Sequence, residues 1–173
     1  MTQPSKEQST VSGFLKPLGY TLGIADLSLD DHGLCVLDVE GTGRVHIEVP
    51  PISEHCFIAA PVTFVPMDGE ARNQILTQAM RLNFFGRGTE LTTLSLDPDS
   101  DILNVHASLP VKDLDARQLE NVFHNMVDLI GTIRPKFEQR NEPAEQAPRQ
   151  TARMAANSEV TPFASHSRHA GFA

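Results

Sequence analysis

Residues 44–49 read RVHIEV, and no other stretch constrains the fold so tightly. Val45, Ile47 and Val49 fall on one side of an extended chain and Arg44, His46 and Glu48 on the other, so this strand has one dry face and one wet face. Residues 33–40, GLCVLDVE, supply a neighbouring strand, joined to it by a turn at Gly41 and Gly43. Residues 55–65, HCFIAAPVTFV, form a third strand that is apolar almost throughout, which predicts cover on both of its faces. Pro61 cannot donate to a ladder, so it marks an edge or a bulge there.

Elsewhere the hydrophobic period changes to the helical value. Residues 10–20 place Val11, Phe14, Leu15 and Leu18 on one face of a first helix, whose end Pro17 and Gly19 weaken. Asp68 suits the N-cap of a second helix, and Glu70 suits the positive end of its dipole. Ile75, Leu76, Ala79 and Met80 give it an apolar stripe that runs up to Phe84 and Phe85. Gly86 stands where a left-handed terminating residue belongs. Two further strands, 90–97 and 101–109, flank a tight turn at Pro98. Asp115 and Gln118 then open a last helix with a capping box. Its stripe is Leu119, Val122, Phe123, Met126, Ile130 and Ile133, and Pro135 is expected to end or kink it. The order α-β-β-β-α-β-β-α predicts an α+β fold, an antiparallel sheet with helices packed against it.

Composition bounds what such a chain can do. It has 173 residues, 40% of them hydrophobic, which suits one domain with one core. Residues 1–9 are expected to be a flexible lead and 10–140 the folded domain. Residues 141–173 are rich in Ala, Pro, Ser and Gln, and are expected to form a disordered tail; a short interaction motif within the tail is the other reading. Arg149, Arg153 and Arg168 offset Glu142, Glu145 and Glu159 there, so the net charge of −8 lies in the domain. That acidity argues against nucleic acid as a partner and favours basic protein surfaces. The polar amino terminus predicts no export signal. No stretch reaches the ~20 apolar residues of a membrane span. With two isolated cysteines, Cys35 and Cys56, a reducing cytoplasm is the expected location.

Four constellations invite chemistry. GRGT at 86–89 has the glycines of a phosphate loop, but the helix precedes it and a strand follows, so the dipole would present its negative end to the ligand. It reads as a corner. His32, Cys35, His55 and Cys56 suggest zinc, yet adjacent His55 and Cys56 point to opposite faces of a strand and no paired ligand spacing occurs. Ser53, Ser95 and Ser100 lie on no strained nucleophile turn. Asp30, Asp31, Asp38 and Glu40 read as a solvated loop and strand face. None of these amounts to catalysis, and no cofactor is expected.

The second helix carries more apolar surface than one core-facing stripe requires, counting Leu82, Phe84 and Phe85 with the rest. Surplus of this kind is buried in a partner or in a second copy, or is covered by the sheet and the first helix of the same protomer, and periodicity alone favours neither. GLCVLDVE, RLNFFGRG, LTTLSLDPDSD and NVHASLPVKDLDARQLENVFHNMVDLI, in that order, resemble the class I type III secretion chaperones, the Tir-chaperone-like family, over residues 10–134. Asn83-Phe84-Phe85-Gly86 followed by Leu94, Leu96, Asp97 and Pro98 is the most specific part.

The resemblance implies a non-enzymatic cytoplasmic homodimer that binds an extended segment near the amino terminus of secreted effector proteins. It implies that the segment is kept competent for export and delivered to the secretion ATPase. The dimer contact would map to Ile75, Leu76, Ala79, Met80 and Leu82, and client contacts are expected at Phe14, Leu18, Leu34, Val36 and His46. The tail after Asn141 is longer than usual in that family. A regulatory adaptor that acts on a non-exported protein, and a small metal enzyme that uses the His/Cys set, are the competing readings.

Overall fold

The computed structural model describes residues 3–90 and 92–138. The expected tail at 141–173 lies outside the described residues. The element order is α1 (Lys6–Leu22), β1 (Leu34–Val39), β2 (Gly43–Glu48), β3 (His55–Phe64), α2 (Gly69–Asn83), β4 (Thr93–Leu96), β5 (Ile102–Pro110) and α3 (Ala116–Glu138). Short 3-10 turns, Phe84–Gly86 and Val111–Asp113, follow α2 and β5. The five strands form one antiparallel sheet in the order β1-β2-β3-β5-β4. The α+β arrangement read from the sequence is the one observed.

Helix α1 begins four residues before the expected start, so Lys6 to Ser9 are helical rather than part of a flexible lead. The cause is a capping box that the apolar pattern does not reveal. Ser5 Oγ accepts from the Gln8 N–H, and Gln8 Oε1 accepts from the Ser5 N–H. The same Gln8 side chain donates to the Val49 carbonyl at 2.9 Å, which ties the helix start to the end of β2. At the far end, Pro17 does not stop the helix, which runs to Gly23 at φ 72. Gly19 is required by close packing: a Cβ there would lie 2.7 Å from both Ile24 O and Leu27 Cβ.

Cover on β3 differs from expectation. Cys56, Ile58, Ala60 and Val62 are buried, whereas Phe57, Ala59 and Pro61 are only half-buried, so the described residues cover one face and leave the other open. Pro61 sits in a central strand and is accommodated by a bulge between Pro61 and Thr63. Helices α1 and α3 lie on the covered face, where Val11, Leu15, Leu18, Val45, Ile47, Val105 and the α3 stripe meet in one core. The capping box at Asp115 and Gln118 forms, with bonds of 2.8 and 2.7 Å. Helix α3 continues through Pro135 to Glu138, since Phe137 is buried and holds the last turn down. One turn earlier, Arg134 donates to the carbonyls of Gly41, Thr42, Pro61 and Val62. It thus joins α3 to the β1–β2 turn and to the bulge.

Helix α2 departs from the sequence reading at its N-cap and keeps the expected left-handed Gly86 beyond its end. Asp68 occupies the N-cap position without a side-chain cap bond. At the other end Phe85 (φ 55) and Gly86 (φ 64) both take left-handed backbone, and Gly88 does not. Gly88 is there for space: a Cβ would come 2.6 Å from Leu82 Cδ2. The GRGT segment is a corner between α2 and β4, as its order in the sequence requires.

Candidate functional site

The open face of the sheet forms a broad concave surface. Its floor is the outward column of β3, Phe57, Ala59 and Pro61, which reads large, small, large along ~13 Å of strand. Arg44, His46 and Glu48 of β2 stand on one side of that column, and Asn104 and His106 of β5 on the other. Ser95, Leu96 and the β4–β5 turn close the far rim, and the groove holds about 740 Å³. His46 pairs with Ala59 and Ala59 with His106, so two imidazoles flank the smallest floor residue. His106 Nδ1 and Ser95 Oγ share a hydrogen bond of 3.0 Å.

The charges of the groove are unevenly matched. Arg44 pairs with Asp38 at 3.3 Å, both side chains well exposed, an interaction that contributes little to stability. The Ser100 hydroxyl and then the Asp99 N–H donate to Asp97 and hold its carboxyl below the ordinary range. A second groove of about 440 Å³ lies in the helical layer, where Phe14, Thr10 and Lys6 of α1 face Lys112 and Leu114.

The residues expected to meet a client divide between these places. Val36 and His46 are exposed and directly paired on the open face, with half-buried Leu34 beside them, paired to Glu48. Phe14 lines the second groove, on the other side of the sheet. Leu18 is fully buried and belongs to the core, so it is not a surface residue. A helical face of four apolar residues is wide, and its centre is consumed by packing while its margin, Phe14, stays accessible.

The stripe of α2 divides likewise. Ile75 and Ala79, expected at a self-association face, are buried within the protomer. Leu76 and Leu82 are half-buried and Met80 is 73% exposed. Phe84 and Phe85, counted from the sequence in the surplus apolar surface, stand 63% and 74% exposed with ring centroids 4.3 Å apart. Leu76, Met80 and Phe84 share one i, i+4 row and so present a continuous apolar ridge. Asn83 sets its position: the amide donates to Leu94 O and accepts from Leu94 N at 3.0 and 2.8 Å, as a neighbouring strand would. This also occupies part of the outer edge of β4.

Cys35 and Cys56 are buried free thiols, and burial pushes Cys56 up to about 12. Among the described residues no group of three His, Cys, Asp or Glu side chains gathers to hold a metal ion, and no helix is long and apolar enough to cross a membrane. What the geometry offers is uncovered apolar surface on a small sheet-and-helix body, the equipment of a protein-binding module.

Comparison with known proteins agrees. The Tir chaperone protein (CesT) family profile matches residues 13–134, and the chain belongs to that family. Curated protein sequences give no match. Among solved structures, the fold is similar to a chain of the ExsC–ExsE complex, with a TM-score of 0.62 at 20% identity over 74% of this chain and 93% of that one. It is also similar to a chain of the HopA1–SchA chaperone–effector complex, with a TM-score of 0.59 at 16% identity over 77% and 99%. A third likeness is to a structure of the Yersinia pestis type III secretion chaperone SycH with a fragment of YscM2, with a TM-score of 0.51 at 20% identity over 73% and 98%. At these identities the likeness speaks for the fold, a type III secretion chaperone fold. The chaperone role comes with the family.

Proposed function

We propose that this chain is a type III secretion chaperone that binds an extended segment near the amino terminus of one or more effector proteins. It keeps that segment competent for export and helps deliver it to the export apparatus, including the secretion ATPase. The observation that carries the reading is the open face of the sheet. A column of Phe57, Ala59 and Pro61 is left uncovered by the described residues, in a member of a chaperone family. An isolated domain gains nothing by exposing such a column, whereas a chaperone needs it for alternate side chains of an extended client. Leu34, Val36 and His46 continue that surface toward β1, and Phe14 offers a second contact in the helical layer. The HopA1–SchA structure is itself a chaperone–effector complex, which supports the same use here.

The working unit in this reading is a cytoplasmic homodimer joined through the outer ridge of α2. Leu76, Met80 and Leu82 supply the contact, extended by Phe84 and Phe85. A bulky residue with positive φ costs of order 1–3 kcal/mol and persists only where other contacts hold it. Phe85 is both left-handed and exposed, so burial against a second copy would offset that cost.

The test is co-purification of the chain from its native cell, with the bound proteins identified, alongside secretion assays in a deletion strain. Capture of effector amino termini and loss of their export on deletion support the proposal. Capture of non-exported regulators alone would overturn it.

A further inference from the structure

Resting on that chaperone reading, we infer that the open-face groove selects extended client segments whose apolar core is flanked by basic residues at both ends. The first argument is the width of the apolar floor. It is one strand wide, and the polar columns of β2 and β5 stand ~4.8 Å to either side. A helix 10–12 Å across would rest on those columns and miss Ala59. A single extended chain fits between them, and His46, Asn104 and His106 stand where they can satisfy its N–H and C=O groups.

The second argument is charge. With Arg44 offset by Asp38, the unmatched charges lining the groove among the described residues are the carboxylates of Glu48 and Asp97. They lie at opposite ends. Glu48 pairs with Phe57 at the start of β3, while Asp97 bonds to Ile102, the partner of Phe64 at its end. The separation along β3 is roughly 20 Å, the reach of six or seven extended residues. Asp99, exposed in the same turn, adds to the negative end at Asp97. An occupant with Val- or Leu-sized side chains at its centre and Arg or Lys at each end would match floor and rim together. An acidic-flanked segment would meet like charge twice.

Two labelled synthetic peptides test this on the full chain, sharing an alternating Val-Ser core of that length and carrying either Arg or Glu at both ends. Fluorescence anisotropy gives the affinities, and amide shifts of Ala59, Asn104 and His106 report the location. The Arg-ended peptide is expected to bind about fivefold tighter, the worth of two exposed ion pairs. That advantage should collapse in the Glu48→Gln/Asp97→Asn/Asp99→Asn variant, where the new amide at position 97 keeps the turn's acceptor oxygen. It should also collapse in ~1 M salt, where the screening length is about 3 Å. Equal affinities, a preference that survives the triple variant, or shifts confined to the Phe14 groove would overturn the inference. So would an Ala59→Arg variant, folded by its melting curve, that becomes monomeric in light scattering, since the groove would then be an interface between copies. If Ala59→Arg still captures effectors in the native cell, the groove assignment fails and the chaperone reading stands. If the unaltered chain captures none, the chaperone reading fails whatever the peptides do.

Discussion

Arg134 is the residue whose loss should cost the body most for the least change of shape. Its guanidinium donates to four main-chain carbonyls, with Thr42 O at 2.6 Å, Pro61 O at 2.9 Å, Val62 O at 3.2 Å and Gly41 O completing the set. These acceptors sit where the sheet ladder is broken, at the β1–β2 turn and at the β3 bulge. Replacement by Met keeps the length of the side chain and removes every donor. A hydrogen bond from a charged donor contributes about 1.5–3 kcal/mol, but the four are not additive, and half-exposed carbonyls recover water. A loss of about 2–4 kcal/mol is expected, which for a body of this size lowers Tm by roughly 10 °C. Arg134→Lys should recover less than half, because an ammonium cannot span the four carbonyls as a planar fork does. Circular dichroism melts at fixed protein concentration measure the drop, and hydrogen exchange should localise faster opening to residues 41–43 and 61–63. A melt of Arg134→Met within about 1 °C of the parent would refute the argument.

Three further predictions turn on the split between core and surface. Leu18→Asp should abolish folding, since a buried unpaired carboxylate costs several kcal/mol; Val36→Asp should melt like the parent in circular dichroism and weaken client capture. Met80→Asp and Phe85→Asp should turn a dimer into folded monomer by light scattering, whereas Ile75→Asp should unfold the protomer itself. Burial raises the Cys56 thiol to about 12 from 9.0, so its contribution to stability is present below pH 9 and is lost as pH rises toward 12. Cys56→Ala should therefore flatten the alkaline limb of a urea-stability profile over that window, and an unchanged slope would count against a buried thiol.

Much of this molecule is legible one residue at a time. The alternation of RVHIEV gives the register of the β1–β2 hairpin, and Asp115 with Gln118 fixes the start of α3, because both signals are local. The capping box of Ser5 and Gln8 is equally local and was hidden only by the absence of apolar residues around it. Two things exceed a sequence reading. Whether Phe14 or Leu18 stays accessible depends on where the second layer lands, and periodicity gives the direction of a face and not its depth. Arg134 reaches carbonyls 72 to 93 residues away, and no spacing rule connects them. The apolar run of β3 misled for a related reason. An uninterrupted apolar strand reads as covered on both sides, and here the described residues supply one cover of the two.

That missing cover is the centre of the account, and histidine footprinting tests it most directly. Diethyl pyrocarbonate should modify His46 and His106 on the open face, and His124 on the outer side of α3, in the free chain. In the complex co-purified from the native cell, His46 and His106 should be protected while His124 reacts as before. Equal reactivity of all three in the free and bound chain would mean that the client lies elsewhere, and the open sheet face would lose its role.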